Sequence, residues 1–87
     1  MDSKNIEVGT SKFVVRELLA VEFDELVKLE NSDKRTEELV KKSASLTEEQ
    51  YRNLTARERG AIVSTINILN GWNEDFQKAQ STDEKVL

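Results

Sequence analysis

The N-terminal residues alternate between apolar and polar positions on either side of a glycine. Ile6 and Val8 lie two residues apart before Gly9, and Phe13 and Val15 lie two residues apart after it. Alternation of this kind is typical of strands with one buried face, and an intervening glycine is typical of a tight turn. The segment therefore predicts a β-hairpin. Because an isolated hairpin is only marginally stable in water, we expect Phe13 and Val15 to pack against helices.

From about Ala20 the apolar positions change to a helical spacing. Steps of three and four residues define an apolar stripe that consists of Leu19, Phe23, Leu26 and Val27. Such a stripe predicts an amphipathic helix, and residues 31–33 then offer a stop and a new N-cap. The next segment, 34–43, is mostly polar, with Leu39 and Val40 as its strongest apolar residues. It predicts a surface helix that is held by a narrow contact.

Two capping boxes are the clearest local signals in the chain. Residues 47–50 and 55–58 both follow the pattern Thr-x-x-Glu/Gln, in which the two side chains satisfy each other's free backbone N–H groups. The first box predicts a short helix and the second the main apolar helix, with a face formed by Ile62, Val63, Ile66, Leu69 and Asn70. Gly71 is placed to end this helix. Gly60 lies inside it at a cost of about 1 kcal/mol relative to alanine, so we expect a neighbouring helix to approach closely there.

These elements together predict a predominantly helical α+β fold, with a short N-terminal β-hairpin followed by three to four helices. The 87 residues are enough for one small domain. We expect this domain to span residues 1–80 and residues 81–87 to form a flexible tail. The N-terminus has no apolar signal segment, and no apolar run approaches the length of a membrane span. We therefore expect a cytoplasmic protein without a membrane partner.

The composition changes the range of chemistry that the chain can perform. It contains no Cys and no His. Disulfides, thiolate zinc sites, cysteine nucleophiles and the commonest general base are therefore absent, and we expect no enzyme activity, no metal and no cofactor. A hydrolase that uses Glu22, Asp24 or Glu48 stays as an alternative, although acidic residues at helix starts also complement the helix dipole. That alternative requires a carboxylate with a raised pKa.

The charge balance bears on nucleic-acid binding. With 17 acidic and 13 basic residues the net charge is −4, which disfavours contact with a phosphate backbone. Arg52, Arg57 and Arg59 form a basic cluster near a junction that resembles a helix–turn–helix, but glutamates surround them. We therefore expect a solvated, salt-bridged face and no nucleic-acid partner. A small helical DNA-binding regulator built around residues 55–71 remains an alternative, which steeply salt-dependent binding to duplex DNA would support. Another phage or bacterial protein-interaction adaptor is a further alternative.

The candidate docking residues are aromatic and aliphatic. Trp72 and Phe76 are one helical turn apart, and either complete the core or form an anchor for a partner. Ile68 lies off the apolar face of the main helix. These three residues are the first prediction for a client-binding or self-association patch. Phe13 and Val15 of the hairpin are the second, because an unpaired strand edge can accept another strand.

The order of features along the chain supports a comparison with one family. A hairpin that ends in Phe-Val-Val-Arg-Glu-Leu at 13–18 leads to a helix at 22–26, then to Leu-Thr-Glu-Glu-Gln-Tyr at 46–51 and a helix that ends in Ile-Asn-Ile-Leu-Asn at 66–70. Over residues 13–78 this order resembles the small tail assembly chaperones of long-tailed bacteriophages. That family often has Pro or Thr after the Arg-Glu step, where this chain has Leu18 and Leu19.

The resemblance implies a non-enzymatic role. Chaperones of this family bind the tape-measure protein, keep its long apolar helices soluble and help to recruit tail-tube subunits. Many of them self-associate, so a homo-oligomer is also implied. A phage-encoded chain of this kind works in the host cytoplasm. No site residue is carried over from the family, because it has no catalytic signature.

Overall fold

The computed structural model describes residues 2–72. The elements are β1 (Ser3–Val8), β2 (Ser11–Arg16), α1 (Ala20–Val27), α2 (Ser32–Ala44), α3 (Glu48–Arg52) and α4 (Ala56–Leu69). The predicted fold class is confirmed: an N-terminal hairpin precedes four helices in a predominantly helical α+β arrangement. Two predictions, the role of Phe76 and the tail at 81–87, lie outside the described residues.

The hairpin is antiparallel and is closed by a two-residue turn at Gly9 and Thr10. Gly9 has a φ of +62° whereas Thr10 does not have a positive φ, a pattern that suits the right-handed twist of the strands. Ile6 pairs with Phe13 and therefore shares a face with it, and Val15 lies on this same face. Val15 is fully buried, and the other two pack half-buried against the core. The predicted packing of the hairpin on the helices is confirmed.

The core lies between the hairpin, α2 and α4. It consists of Val15, Val40, Ala44, Ile62 and Ile66. A chain of this size buries a smaller fraction of its surface than a large domain does, so its fold depends on few buried apolar side chains. Each of these side chains therefore contributes a large share of the free energy of folding.

The prediction for α2, a surface helix with a narrow contact, is wrong. Val40 is fully buried, and Ser43 and Ala44 are nearly so. The helix contacts β2, α1, α3 and α4 and is the element that the others pack around. The small side chains of Ser43 and Ala44 leave room for neighbouring elements to approach, while Lys41 and Glu37 pair at 3.2 Å on the polar side of the helix. Few apolar residues are therefore enough to hold this helix in the interior.

Both capping boxes are confirmed. The Thr47 hydroxyl accepts from the Gln50 N–H at 3.1 Å, and the Gln50 side chain accepts from the Thr47 N–H at 2.9 Å. Thr55 and Glu58 form the same pair of bonds at 3.1 and 2.8 Å. The main helix ends as predicted, with Gly71 at a φ of +76° just beyond its C-cap. The Thr55 capping box therefore sets the start of α4, and Gly71 sets its end.

Gly60 differs from its prediction. It is exposed, and a Cβ added at this position would meet no atom within 4 Å. No neighbouring helix approaches it among the residues that the structure describes, so the predicted close approach is wrong. Nothing in the packing requires glycine at this position.

Candidate functional site

An open groove lies between α1, the first half of α2 and Trp72. Its volume is about 340 Å³. The apolar part of its lining consists of Phe23, Leu26, Val27, Leu39 and Trp72, and the polar part consists of Ser32, Arg35 and Thr36. We call it the α1–α2 groove. An apolar concavity with a few polar groups is the usual form of a binding site.

The ring of Trp72 connects the end of α4 to α1. Its centroid lies 5.1 Å from that of Phe23, and the two ring planes are tilted by 48°. This geometry is within the range that favours aromatic pairs. Trp72 also packs, half-buried, against the core, while Phe23 remains 40% exposed. Trp72 is therefore both part of the packed structure and part of the wall of the groove.

The apolar stripe of α1 is mostly uncovered. Leu26 is 5% exposed, but Leu19, Phe23 and Val27 are 49%, 40% and 55% exposed. A scattered exposed aliphatic residue is ordinary, whereas contiguous ones beside a groove are typical of an interaction surface. The exposed side of α1 therefore extends the apolar surface of the groove.

An ion pair fixes the start of α1. The Arg16 guanidinium donates to the two carboxylate oxygens of Glu22 at 2.8 and 2.7 Å. Glu22 Oε1 also accepts from the Leu19 N–H at 2.9 Å. The Arg16 hydrogen bonds, with the Leu19 bond second, lower the pKa of Glu22 to about 2. The carboxylate is thus held as an anion that links β2 to the first turn of α1.

A second link ties the segment before α1 to the end of α4. Asn70 Oδ1 accepts from the Leu18 N–H at 3.0 Å, and Asn70 Nδ2 donates to the Ile66 carbonyl at 2.8 Å. Together with the ion pair, this link holds the start of α1 against β2 and the end of α4. Bonds that fix the start of α1 before a partner binds reduce the entropy that binding costs.

The predicted docking residues separate in the structure. Trp72 lines the groove, but Ile68 is 57% exposed on α4 and is not part of the lining. Phe13 is half-buried against the core. Val15 is fully buried, so it cannot contact a partner while the domain is folded, and its prediction as a docking residue does not hold. Phe76 lies outside the described residues.

The carboxylates named as catalytic alternatives do not converge on the groove. Glu22 has a lowered pKa, the opposite direction from the one that a general acid needs. Glu48 pairs with Arg52 at 3.2 Å on the exposed surface. Within residues 2–72, no group of three or more acidic, histidine or cysteine side chains is arranged to hold a metal ion. In the same range, no helix is both long and apolar enough to cross a membrane.

The arginine cluster lies around the two capping boxes. Arg57 and Arg59 are exposed in the first turn of α4, and Glu58 between them closes the Thr55 capping box. Arg52 belongs to α3, a helix of five residues. All three arginines are exposed, as the predicted solvated face requires, but among the described residues an ion pair forms only at Arg52, with Glu48 at 3.2 Å.

Sequence reasoning missed Phe23, Val27, Leu39 and Arg35 as groove residues. One signal was available: the eight residues of α1 carry an apolar stripe, and a small domain buries a smaller fraction of its surface than a large one does. The position of the groove was not available, because it depends on α2 and Trp72 meeting α1 in space. Charge alone does not distinguish Arg35 from the other basic residues of the chain.

Comparisons with known proteins do not extend this description. No protein-family model matches the chain, no curated protein matches it significantly, and no solved structure does so. The groove is therefore the structural feature on which a functional proposal can be built.

Proposed function

We propose that this protein is a non-enzymatic chaperone of phage tail assembly. It binds an apolar helical segment of the tape-measure protein in the α1–α2 groove and helps to recruit tail-tube subunits in the host cytoplasm. The observation that carries the proposal is the exposed apolar surface of Phe23 and Val27 on α1, next to the half-buried Trp72. The resemblance of the sequence supplies the phage partners.

The dimensions of the groove suit a helix. The eight residues of α1 span about 12 Å, which is a little more than two helical turns. A partner helix can present apolar residues to such a groove at spacings of three, four and seven positions. An interface of this length is small, and small interfaces are typically weak and transient. Weak binding suits a chaperone, because a chaperone has to release its client.

The charge of the chain suits the same role. A net charge of −4 keeps the protein and its complexes apart from one another in solution. The apolar contact would then be confined to the groove, while the charged faces remain in water. A long apolar helix bound to several such chains would be shielded from aggregation.

Light scattering tests the proposal directly. The molar mass of the chain is measured over a concentration series, first alone and then with a tape-measure fragment that contains long amphipathic helices. We expect mixed complexes that remain soluble at concentrations where the fragment alone aggregates. A chain whose molar mass is indifferent to the fragment, and which leaves its aggregation unchanged, would contradict the proposal.

The DNA-binding alternative is tested with the same protein. Duplex DNA is titrated at low and at moderate salt, and binding is followed by fluorescence anisotropy of labelled DNA. We expect no binding, because the chain is acidic and its arginines alternate with glutamates. Binding that falls steeply with salt would instead favour the regulator.

A further inference from the structure

We propose that the α1–α2 groove selects helical segments that carry a carboxylate beside their apolar residues, and that Arg35 recognises this carboxylate. The inference rests on the proposed function, since it assigns the chemistry of the partner that the groove binds. It makes Arg35 a specificity-determining residue. The apolar residues of the groove then contribute contact area, and Arg35 determines which helical segments bind more tightly.

Among residues 2–72, Arg35 is the one charged residue in the lining of the groove. The chain as a whole is acidic, yet no carboxylate of these described residues contributes to the lining. A groove whose formal charge is positive favours a partner with a negative group at the matching position. Electrostatic complementarity of this kind contributes more to specificity than to affinity.

The guanidinium of Arg35 is oriented but not neutralised. Its Nη1 donates to the Leu29 carbonyl oxygen at 3.0 Å, just after the end of α1. Within residues 2–72, no carboxylate lies at ion-pair distance from Arg35. Arg16 and Arg52 pair with carboxylates in this part of the chain, whereas Arg57 and Arg59 do not. Arg35 differs from these last two because it lines the groove. Arginine has five N–H donors, so most of those on Arg35 remain available for a bidentate contact with a carboxylate.

The two parts of the groove set the spacing of the partner's side chains. Phe23, Val27 and Trp72 form an apolar wall, and Arg35 lies at the same opening with Ser32 and Thr36. A helix that lays an apolar residue against the wall presents its neighbours at three or four positions along the same face. A glutamate at such a position can reach Arg35. The matching motif is therefore a pair of leucines one turn apart with a glutamate three or four positions from one of them.

The test uses the full chain and synthetic helical peptides without aromatic residues. Each peptide has about 16 residues, a length at which helicity can be stabilised by design. The peptides share two leucines one turn apart and differ at a single position, three or four residues from one leucine, which is Glu, Gln or Lys. Trp72 is the only tryptophan of the chain, so its emission reports binding at the groove itself.

We expect the Glu peptide to bind about fivefold more tightly than the Gln peptide and the Lys peptide to bind most weakly. The Arg35→Gln variant should bind all three peptides about equally, and Arg35→Glu should reverse the order. Arg57→Glu is the matched control, because Arg57 is an exposed arginine outside the groove, and it should leave the order unchanged. The preference for Glu should also diminish as salt screens the exposed pair.

The outcomes separate this inference from the proposed function. Equal affinity for the three peptides would overturn the role of Arg35 and leave the apolar docking intact. No change in Trp72 emission with any peptide would contradict both. If Phe76→Ala alters the emission and tightens peptide binding, the occupant is residues 73–87 of the same chain, which overturns the inference of a partner segment. Emission that changes with protein concentration alone would assign the groove to a second copy, with the same consequence.

Discussion

Glu22 shows how one side chain can connect two elements of a small protein, β2 and α1. It caps α1 through the Leu19 N–H and binds the Arg16 guanidinium of β2 with both carboxylate oxygens. Each of these bonds is charge-assisted, and such bonds are stronger than those between neutral groups. A contact of this kind is valuable in a domain whose apolar core contains few residues. It also holds α1 in the position that forms the groove.

The lowered pKa of Glu22 predicts a specific dependence of stability on pH. Because its pKa in the folded protein is about 2, below the ordinary value of 4.5, the ionised group stabilises the fold above pH 4.5. This stabilisation is lost as the pH falls from 4.5 through 2. Glu22→Gln should therefore lower the free energy of unfolding by about 2 kcal/mol at pH 7, and the difference should shrink in acid. Urea unfolding at several pH values measures it.

Glu25→Gln is the control for this prediction. Glu25 lies on the same helix and pairs with Lys28 at 3.5 Å, but both side chains are largely exposed. Exposed pairs contribute little, so the change should stay within about 0.5 kcal/mol at each pH. Similar losses in the two variants, or a Glu22→Gln effect that does not depend on pH, would contradict the account of the ion pair.

Ser43 differs from Glu22 because its polar group is buried without a hydrogen-bond partner among the described residues. The residue is 1% exposed, and within the described residues its hydroxyl makes no hydrogen bond. Ser43→Ala should raise the free energy of unfolding by about 1 kcal/mol, because it removes an unsatisfied group and improves helix propensity. Thermal unfolding tests this, with the exposed Ser64→Ala as the control for propensity alone. A loss of stability in Ser43→Ala would show that the hydroxyl has a role in packing.

At the scale of elements, α4 illustrates how much local sequence can decide. Its capping box at Thr55 and its terminal Gly71 set both ends of the helix through bonds between residues close in sequence. Local signals of this kind can be predicted from the sequence, and so can the hairpin around Gly9. Gly60 within the helix is less constrained, because it is exposed and a Cβ added there would meet no atom of the described residues within 4 Å.

Gly60→Ala should therefore stabilise the protein. The substitution fits without a clash, improves helix propensity and reduces the freedom of the unfolded chain, so we expect a gain of about 1 kcal/mol. Gly71→Ala is the matched control, since its φ of +76° is unfavourable for alanine, and it should destabilise by about 1 kcal/mol. Denaturant unfolding distinguishes the two. A neutral or destabilising Gly60→Ala would show that glycine has a role that the packing does not explain.

The helix α2 shows where prediction from the sequence fails. Its residues are mostly polar, and the pattern alone does not reveal that Val40 and Ala44 are buried by β2 and α4. That burial depends on contacts between distant parts of the chain. Prediction of the candidate site from the sequence fails for the same reason. The sequence predicts Trp72 as a docking residue, but its contact with Phe23 and the groove beside them form only when α1 and the end of α4 come together.

At the scale of the whole molecule, the apolar side chains form two groups, one that is buried in the core and one that is exposed on α1. A small set of side chains between the hairpin, α2 and α4 forms the core, while the stripe on α1 remains largely exposed. A protein of this size cannot easily spare apolar surface, since its burial drives folding. The exposed surface of the groove is therefore the main support for the proposed role in protein binding.

The measurement that tests this account most directly compares two identical substitutions. Val27 in the groove and Val14 on the hairpin are 55% and 59% exposed, so Val27→Ser and Val14→Ser remove similar surface at different places. Binding of the tape-measure fragment is measured for each folded variant by titration calorimetry. We predict that Val27→Ser weakens binding about fivefold and that Val14→Ser changes it less than about twofold. Equal effects, or a larger effect of Val14→Ser, would contradict the assignment of the groove as the binding site.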